Sequence, residues 1–378
     1  MYTQPMNMTQ RPLIITDYHW TIARLPFTQS VGHALKTRSC TQSIIFRVTD
    51  EAGRYGYGEG APRTYVTQES IDDIGEKLEQ LLASFPLPVV RSLRDIEGYS
   101  RQLLAATDYP SLVCAIETAL LDLFGQQREL HLNALLGQDD SHTPIYSMVL
   151  PFMPLEKAMT YVAYVNKLRL PHLKIKLGFA DDLDFAEALL SELHPACSVR
   201  IDANRAWTFA EATEKCRALQ ALGIHFVEEP LRSDCIDQLP ALSREVTSCL
   251  GLDESLYTLD HARHYQQVMA PGRVYFNLKL SKCGGYLHTR QLWSYARAHG
   301  IPCQLGCNVG ETAILSALGR AFAQQHELLF LEGSFNDLLL QEDFTTPKMF
   351  FGTNGKAERL QLPGLGIPLQ HDHPYLLL

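Results

Sequence analysis

The sequence predicts an α/β protein, a (β/α) barrel joined to an α+β domain, and three observations predict it. Strand-like and helix-like segments alternate from Pro144 to the region of Leu331. Five charged residues, Lys176, Asp202, Glu228, Asp253 and Lys279, close successive strand candidates at intervals of 26, 26, 25 and 26 residues. Ahead of them, three short strand patterns precede three helical ones, the order of an α+β domain. With 378 residues, 46% of them hydrophobic, the chain has apolar material for two domains or for one large barrel with an addition.

Strands are expected at 13–16, 43–48 and 55–58, with the acidic turn Thr49-Asp50-Glu51-Ala52-Gly53 joining the last two into an antiparallel meander. Between the first two lies Leu25-Pro26-Phe27-Thr28-Gln29-Ser30-Val31-Gly32, long for a hairpin connection, which reads as a functional flap or as an ordinary surface loop. Helical periodicity follows over 68–85, 92–104 and 111–127. The barrel strands are placed at 145–150, 173–177, 199–202, 225–228, 250–253, 274–279, 302–305 and 328–331. Eight βα units usually take about 250 residues, so these are short ones. The tail from Lys348 is punctuated by Pro363-Gly364-Leu365-Gly366 and is expected to return to the N-terminal domain. The expected division is 1–143, 144–345 for the barrel, and 346–378 for the tail.

The formal net charge of -9 argues against nucleic acid and anionic membrane as partners. Nine cysteines without a CxxC pair read as reduced thiols in a cytoplasmic protein. The polar N-terminus, 1–12, lacks the layout of a signal peptide, and no apolar run approaches the ~18 residues needed to span a bilayer. His261-x-x-His264 and His371-x-His373 lack cysteine partners at zinc-finger spacing.

Charged side chains at the C-terminal ends of barrel strands sit where this architecture places catalysis. Singly, each acid has an ordinary explanation: Asp253 or Ser255 capping a helix, Glu229-Pro230 opening one, Asp202-Ala203-Asn204 forming an Asx turn. The regular spacing favours a site. Three carboxylates converging from successive strands repel one another unless a divalent cation sits among them, and hard oxygen donors suit Mg²⁺ or Mn²⁺. Lys174 and Lys176 share one face of the strand His172-Leu173-Lys174-Ile175-Lys176. At roughly 7 Å and an effective dielectric of ~20 their repulsion is about 2.5 kcal/mol, so in a pocket one lysine lowers the pKa of the other and makes a base. Lys279 ends four units further round and faces Lys176 across the mouth. A carboxylate held on the ion between them would lose its α-proton to a lysine, through an enediolate that the cation stabilises.

At these residues the chain resembles the enolase superfamily, muconate-lactonizing-enzyme subgroup, over nearly its whole length. Tyr57-Gly58-Glu59-Gly60, Tyr65-Val66-Thr67-Gln68-Glu69 and Ala115-Ile116-Glu117-Thr118-Ala119-Leu120-Leu121-Asp122-Leu123 are similar to the family's GxGE, YVTGE and AIExALxDL segments. Lys174-Ile175-Lys176 resembles its KxK motif, and Asn277-Leu278-Lys279 through Gly284-Gly285 its NxKxxKxGG segment. The resemblance implies a modified (β/α)7β TIM-like barrel with an α+β capping domain formed by the N-terminal part and the C-terminal tail. It implies Asp202, Glu228 and Asp253 as metal ligands, Lys176 and Lys279 as opposed acid/bases, and Lys174 as the modifier of Lys176; a Lys base with Mg²⁺ is the known chemistry of that superfamily. Glu311 sits where the family carries a seventh-strand glutamate, although a first-turn helix position explains it equally. The stretch 26–32 and the Glu59 region would cover the substrate, with Asn204, Phe27 and Asn336 also facing it.

Lys279 in place of an Asp, with no His at the seventh strand end, speaks against the mandelate racemase and sugar-acid dehydratase branches. The subgroup includes cycloisomerases, o-succinylbenzoate synthases, N-acylamino-acid racemases and dipeptide epimerases. Opposed bases and Tyr65-Val66-Thr67 favour racemisation or epimerisation of an amino-acid derivative or dipeptide, with a muconate-type cycloisomerase or a synthase-type lyase as alternatives. Dipeptide epimerases usually carry Asp-x-Asp after the eighth strand, where this chain has Glu332-Gly333-Ser334-Phe335-Asn336-Asp337. The expected partner is a small-molecule carboxylate, with homo-oligomerisation left open. A non-catalytic metal- or carboxylate-binding barrel would lack the two bases that are present here.

Overall fold

The computed structural model describes residues 11–33, 36–137, 142–179 and 181–377. The segment 1–10, read above as lacking a leader, lies outside them. The chain opens with β1 (Ile15–Ala23), β2 (Pro26–His33), β3 (Lys36–Cys40), β4 (Ser43–Asp50) and β5 (Tyr55–Gly60), followed by α1 (Ile74–Ser84), α2 (Leu93–Ala106), α3 (Pro110–Arg128) and the short α4 (Leu132–Leu135). β1, β4 and β5 form an antiparallel sheet in that order, and β2 pairs with β3 as a separate hairpin.

Two expectations change here. The first strand runs over Ile15–Ala23 instead of 13–16, because Tyr18, Trp20 and Ile22 alternate with the polar residues Asp17, His19 and Thr21, while Leu13 bridges Val90. The stretch expected to be a loop or flap begins β2. Its pairing with β3 is irregular between Pro26 and Val31, and its other edge meets the end of the barrel, Phe27 bridging Leu340. A strand whose partner lies so far along the chain leaves little periodicity to read.

The sheet lies flush on α3. A Cβ on Gly56, Gly58 or Gly60 would run into the backbone of Ala119, Ala115 and Ser111 respectively, alternate strand residues matched to successive helix turns.

The barrel follows as β6 (Met148–Leu150), α5 (Leu155–Leu168), β7 (His172–Lys176), α6 (Asp182–Glu192), β8 (Ser198–Asp202), α7 (Phe209–Ala221), β9 (Phe226–Glu228) and α8 (Leu239–Glu245). It continues through β10 (Cys249–Leu252), α9 (Leu259–Val268), β11 (Val274–Leu278), α10 (Tyr286–Ala298), β12 (Cys303–Leu305), α11 (Ala313–Gln325), β13 (Phe330–Leu331) and α12 (Asn336–Leu339). All eight barrel strands fall within or against the stretches expected from sequence. They form one sheet in sequential order, parallel throughout. Its ends meet where the Ser147 N–H donates to the Leu331 carbonyl at 2.7 Å. Strands covered on both sides read as apolar runs, and here the inner faces carry the exceptions.

Glu59, at the end of β5, accepts the N–H groups of Thr312 and Leu315 at 3.1 Å and the Thr312 hydroxyl at 2.6 Å. These are the free amides at the start of α11. Glu59 is therefore buried under a barrel helix, where it was expected to cover the substrate. Nearby, the Ala61 N–H donates to Ser281 Oγ and Asn308 Nδ2 to the Ala61 carbonyl. In the tail, the Leu365 N–H donates to Asp122 of α3 at 2.9 Å, and the Leu376 carbonyl accepts from Tyr57 Oη at 3.3 Å. All nine thiols are free, and among the described residues no helix is long and apolar enough to cross a membrane.

Candidate active site

The inward-facing residues at the strand ends meet in one pocket, lined among others by Lys174, Lys176, Asp202, Asn204, Asp253 and Lys279. Period-two alternation in β7 sends Leu173 and Ile175 to the helix layer and both lysines inward. Lys174 is buried, with Nζ 2.8 Å from Glu332, 3.3 Å from Glu228 and 3.4 Å from Asp202. Burial works against its charge, but Glu228, Glu332 and Asp202 outweigh it and hold Lys174 protonated well above the usual lysine range. Lys176 sits 3.2 Å from Asp202 and donates to Asn204 Oδ1 at 2.7 Å.

Lys279 follows β11, four strands round from β7 in a closed ring of eight, and so stands on the opposite wall. Its Nζ lies 2.5 Å from Asp253. Burial would lower its pKa, and Asp253 more than offsets this, leaving it raised. The same pairing, with Lys282 added, holds Asp253 below the usual carboxylate range against its own burial. Asp202 is lowered likewise, burial being outweighed by Lys176 and Lys174. Glu228, the deepest of the three acids, is pushed up by burial and by the charges of Asp202 and Asp253, in spite of Lys174.

As placed, each carboxylate faces a lysine, and among the described residues no three acidic, histidine or cysteine side chains stand at ion-sharing distance. The donor set nevertheless fits a hard divalent cation. Asp202, Glu228 and Asp253 are buried on adjacent strands, and Glu254 beside them keeps Oε2 buried without a hydrogen-bond partner. Oxygen donors of this kind suit Mg²⁺ better than a thiophilic metal.

Of the residues expected to face a substrate, Asn204 lines the pocket. Glu311 stands just behind it, its Oε1 accepting the N–H of the lining residue Asn308 at 2.6 Å, and burial raises its pKa to about 8. Phe27 and Asn336 are not brought in. The Phe27 ring packs against Gly310 in the seam between hairpin and barrel. Asn336 is buried, donating to Asp343 at 2.8 Å and bonding Ser316 at 3.2 Å, because the polar groups around the start of α12 claim it.

Several residues of the site lay beyond sequence reasoning. Arg200 sits two residues before Asp202 on β8, so parity turns it inward, and it pairs with Glu332 at 2.7 Å, fixing the acid that holds Lys174. Lys282 donates to the Asp253 carbonyl, to Asp253 Oδ1 and to the Asn277 carbonyl; its place three residues after Lys279 was the available signal. Glu229 accepts the N–H groups of Asp253 and Ser255, bracing that turn. Asn204, Arg205 and Glu229 all take positive φ, at 44°, 59° and 40°, a concentration of left-handed backbone at two adjacent strand ends. A larger cavity of about 650 Å³ lies between α2 and the α9–α10 region, lined by Lys282 and by Thr67 and Gln68 among others.

The family model described as enolase C-terminal domain-like matches residues 158–373. The hydrophobic dipeptide epimerase of Enterococcus faecalis is 29% identical over 314 residues, covering 79% of this chain and 84% of that protein. The N-succinyl-L-Arg/Lys racemase of Bacillus cereus is 26% identical over 368 residues, covering 95% and 96%. The solved structure of the dipeptide epimerase from Enterococcus faecalis, complexed with Mg and the dipeptide L-Leu-L-Tyr, superposes with a TM-score of 0.82 at 25% identity, covering 93% of this chain and 99% of that one.

Proposed function

The chain belongs to the enolase superfamily, in its muconate-lactonizing-enzyme subgroup, and on that premise we propose that it moves the α-proton of a carboxylate substrate between Lys176 and Lys279, racemising or epimerising an amino-acid derivative or dipeptide. The observation that carries this reading is the pair of lysines on opposite walls of one pocket, each beside a strand-end carboxylate. A planar carbon between them can lose a proton to one side and receive one from the other.

Asp202, Glu228 and Asp253 would hold Mg²⁺, with Mn²⁺ as an alternative. Bound there, the ion would supply positive charge to the substrate carboxylate and compete with the lysines for the acidic oxygens. The chain's own residues do the rest. Lys174, held protonated by Glu228, Glu332 and Asp202, keeps a fixed positive charge beside Lys176. Asn204 orients Lys176 through its hydrogen bond. Lys279, while its ammonium faces Asp253, is poised to deliver a proton from the other wall.

The nine free thiols support a reducing, cytoplasmic setting. We also keep the division into a cap at 1–143, a barrel at 144–345 and a returning tail at 346–378.

The test is incubation with Mg²⁺ and a panel of N-acyl amino acids and dipeptides in D₂O. Deuterium at the α-carbon together with the mirror-image product is the expected result. Metal binding with no exchange on any member would overturn the racemase reading in favour of a cycloisomerase or synthase.

A further inference from the structure

Beside the pocket of charged groups lies a second chamber of about 70 Å³, and the two share Lys176, Val149, Val309 and Phe335. The character changes abruptly across that shared wall. Met148 from β6 and Leu338 and Leu339 from α12 make the new chamber apolar, and Lys176 is the only ionisable side chain of Lys, Arg, Asp, Glu or His type among its described lining residues. Its rim joins three elements: Gln29 Nε2 on β2 donates to Tyr161 Oη on α5 at 2.6 Å, and Thr28 Oγ1, also on β2, donates to the Leu338 carbonyl of α12 at 2.6 Å.

Among the described residues no acid lines this chamber. Glu332, on the approach to α12, has its Oε1 2.8 Å from Lys174 and 2.7 Å from Arg200. Asp337, within α12, is exposed and faces Lys348 at 4.0 Å. Neither lines the chamber. A substrate ammonium placed here would lose its water, meet no carboxylate of the lining and stand near Lys176; a substrate carboxylate would lose its water against Met148, Phe335, Leu338 and Leu339, while Lys176, the one cation of the lining, already faces Asp202 at 3.2 Å. An uncharged apolar group would lose nothing and would displace water from apolar surface. Since Lys176 belongs to both spaces, the group that enters the chamber is attached next to the carbon whose proton Lys176 handles.

We propose that this chamber selects the substrate by admitting an uncharged aliphatic or aromatic group attached beside the reacting carbon, and by rejecting a charged one. This rests on the reaction proposed above but is read out separately from it. The apolar group can arrive as the amino-acid side chain or as an N-acyl substituent, and the probes separate the two.

With the full-length, Mg²⁺-loaded protein, calorimetric titration compares N-acetyl-L-phenylalanine, N-benzoyl-L-alanine, N-acetyl-L-lysine and N-acetyl-L-glutamate. At least one of the first two should bind about tenfold or more tighter than both charged probes. The tighter of the pair identifies which substituent the chamber takes. Leu338→Glu should weaken the apolar probes and strengthen N-acetyl-L-lysine, while Leu338→Met, which keeps the wall apolar, should preserve the order. Charged probes binding as tightly as apolar ones, no probe binding at all, or a folded Leu338→Glu protein with the ranking unchanged would each overturn the proposal. If Leu338→Glu does not fold, the ranking by the unaltered protein decides alone. Selective binding without α-deuteration in D₂O would instead remove the racemase reading and leave the chamber's selectivity standing.

Discussion

At the scale of single residues, the two opposed lysines make a prediction that a single-base site does not. Replacing Lys176 or Lys279 by Ala should slow racemisation by about 10²- to 10⁴-fold. Each variant should still exchange the α-proton of whichever enantiomer presents it to the surviving lysine. Following α-deuteration of the two enantiomers separately by NMR checks this, and equal loss for both would count against a division of labour between the walls. The residues at regular spacing were legible because each βα unit repeats the same geometry, which stamps Lys176, Asp202, Glu228, Asp253 and Lys279 onto the sequence at a near-constant interval. Arg200 and Glu332 were not, since their 2.7 Å contact joins strands 132 residues apart and leaves no local pattern. Phe27 and Asn336 were misplaced for a related reason. Their surroundings are set by Gly310 and by Asp343, residues that no periodicity connects to them.

At the scale of elements, the contact of β5 with α3 and the burial of α3 govern stability. Gly58→Ala would drive a methyl group into the backbone of Ala115, which has no side-chain rotamer with which to yield. A loss of about 3 kcal/mol, the upper end for an added methylene, is expected from urea denaturation. Glu117, on the same helix, accepts the Leu287 N–H at the start of α10, and burial raises its pKa from 4.5 to about 7. A carboxyl raised on folding contributes stability that is full below its unfolded pKa and is lost as pH rises through the folded one. Glu117→Gln removes that titration. Relative to the variant, the parent should therefore lose up to about 3 kcal/mol of stability between pH 4.5 and pH 8, as read from denaturation midpoints at each pH. The barrel strands were readable as apolar runs, whereas β2 was not, because it is also partnered by Leu338, Leu340 and Gln341 at the far end of the chain.

At the scale of the whole molecule, Asp202, Glu228 and Asp253 are buried on adjacent strands, so the cation proposed among them would couple metal binding to global stability. At a hundredfold excess of Mg²⁺ over its dissociation constant, about 2.7 kcal/mol of stabilisation is expected. It should appear as a higher melting temperature than in EDTA, and Asp253→Asn should abolish the shift. An unchanged melting temperature on adding Mg²⁺ would argue against these acids as ligands. The overall architecture was legible because it depends on repetition, but the way its parts are fastened was not, since the fastenings are single side chains.

Glu59 is one such fastening. The strand that bears it and the helix whose amides it satisfies are 253 residues apart, so neither half completes its own hydrogen bonding. Severed from residues 1–143, the barrel would expose bare amides at the head of α11, and the severed cap would leave Glu59 without the amides it accepts there. A chimaera that grafts the cap of a relative onto this barrel would inherit the problem unless the graft brings an acid at the same place. Exchange of parts between such proteins is thus limited at this seam by one carboxylate, whatever the fit of the surfaces around it.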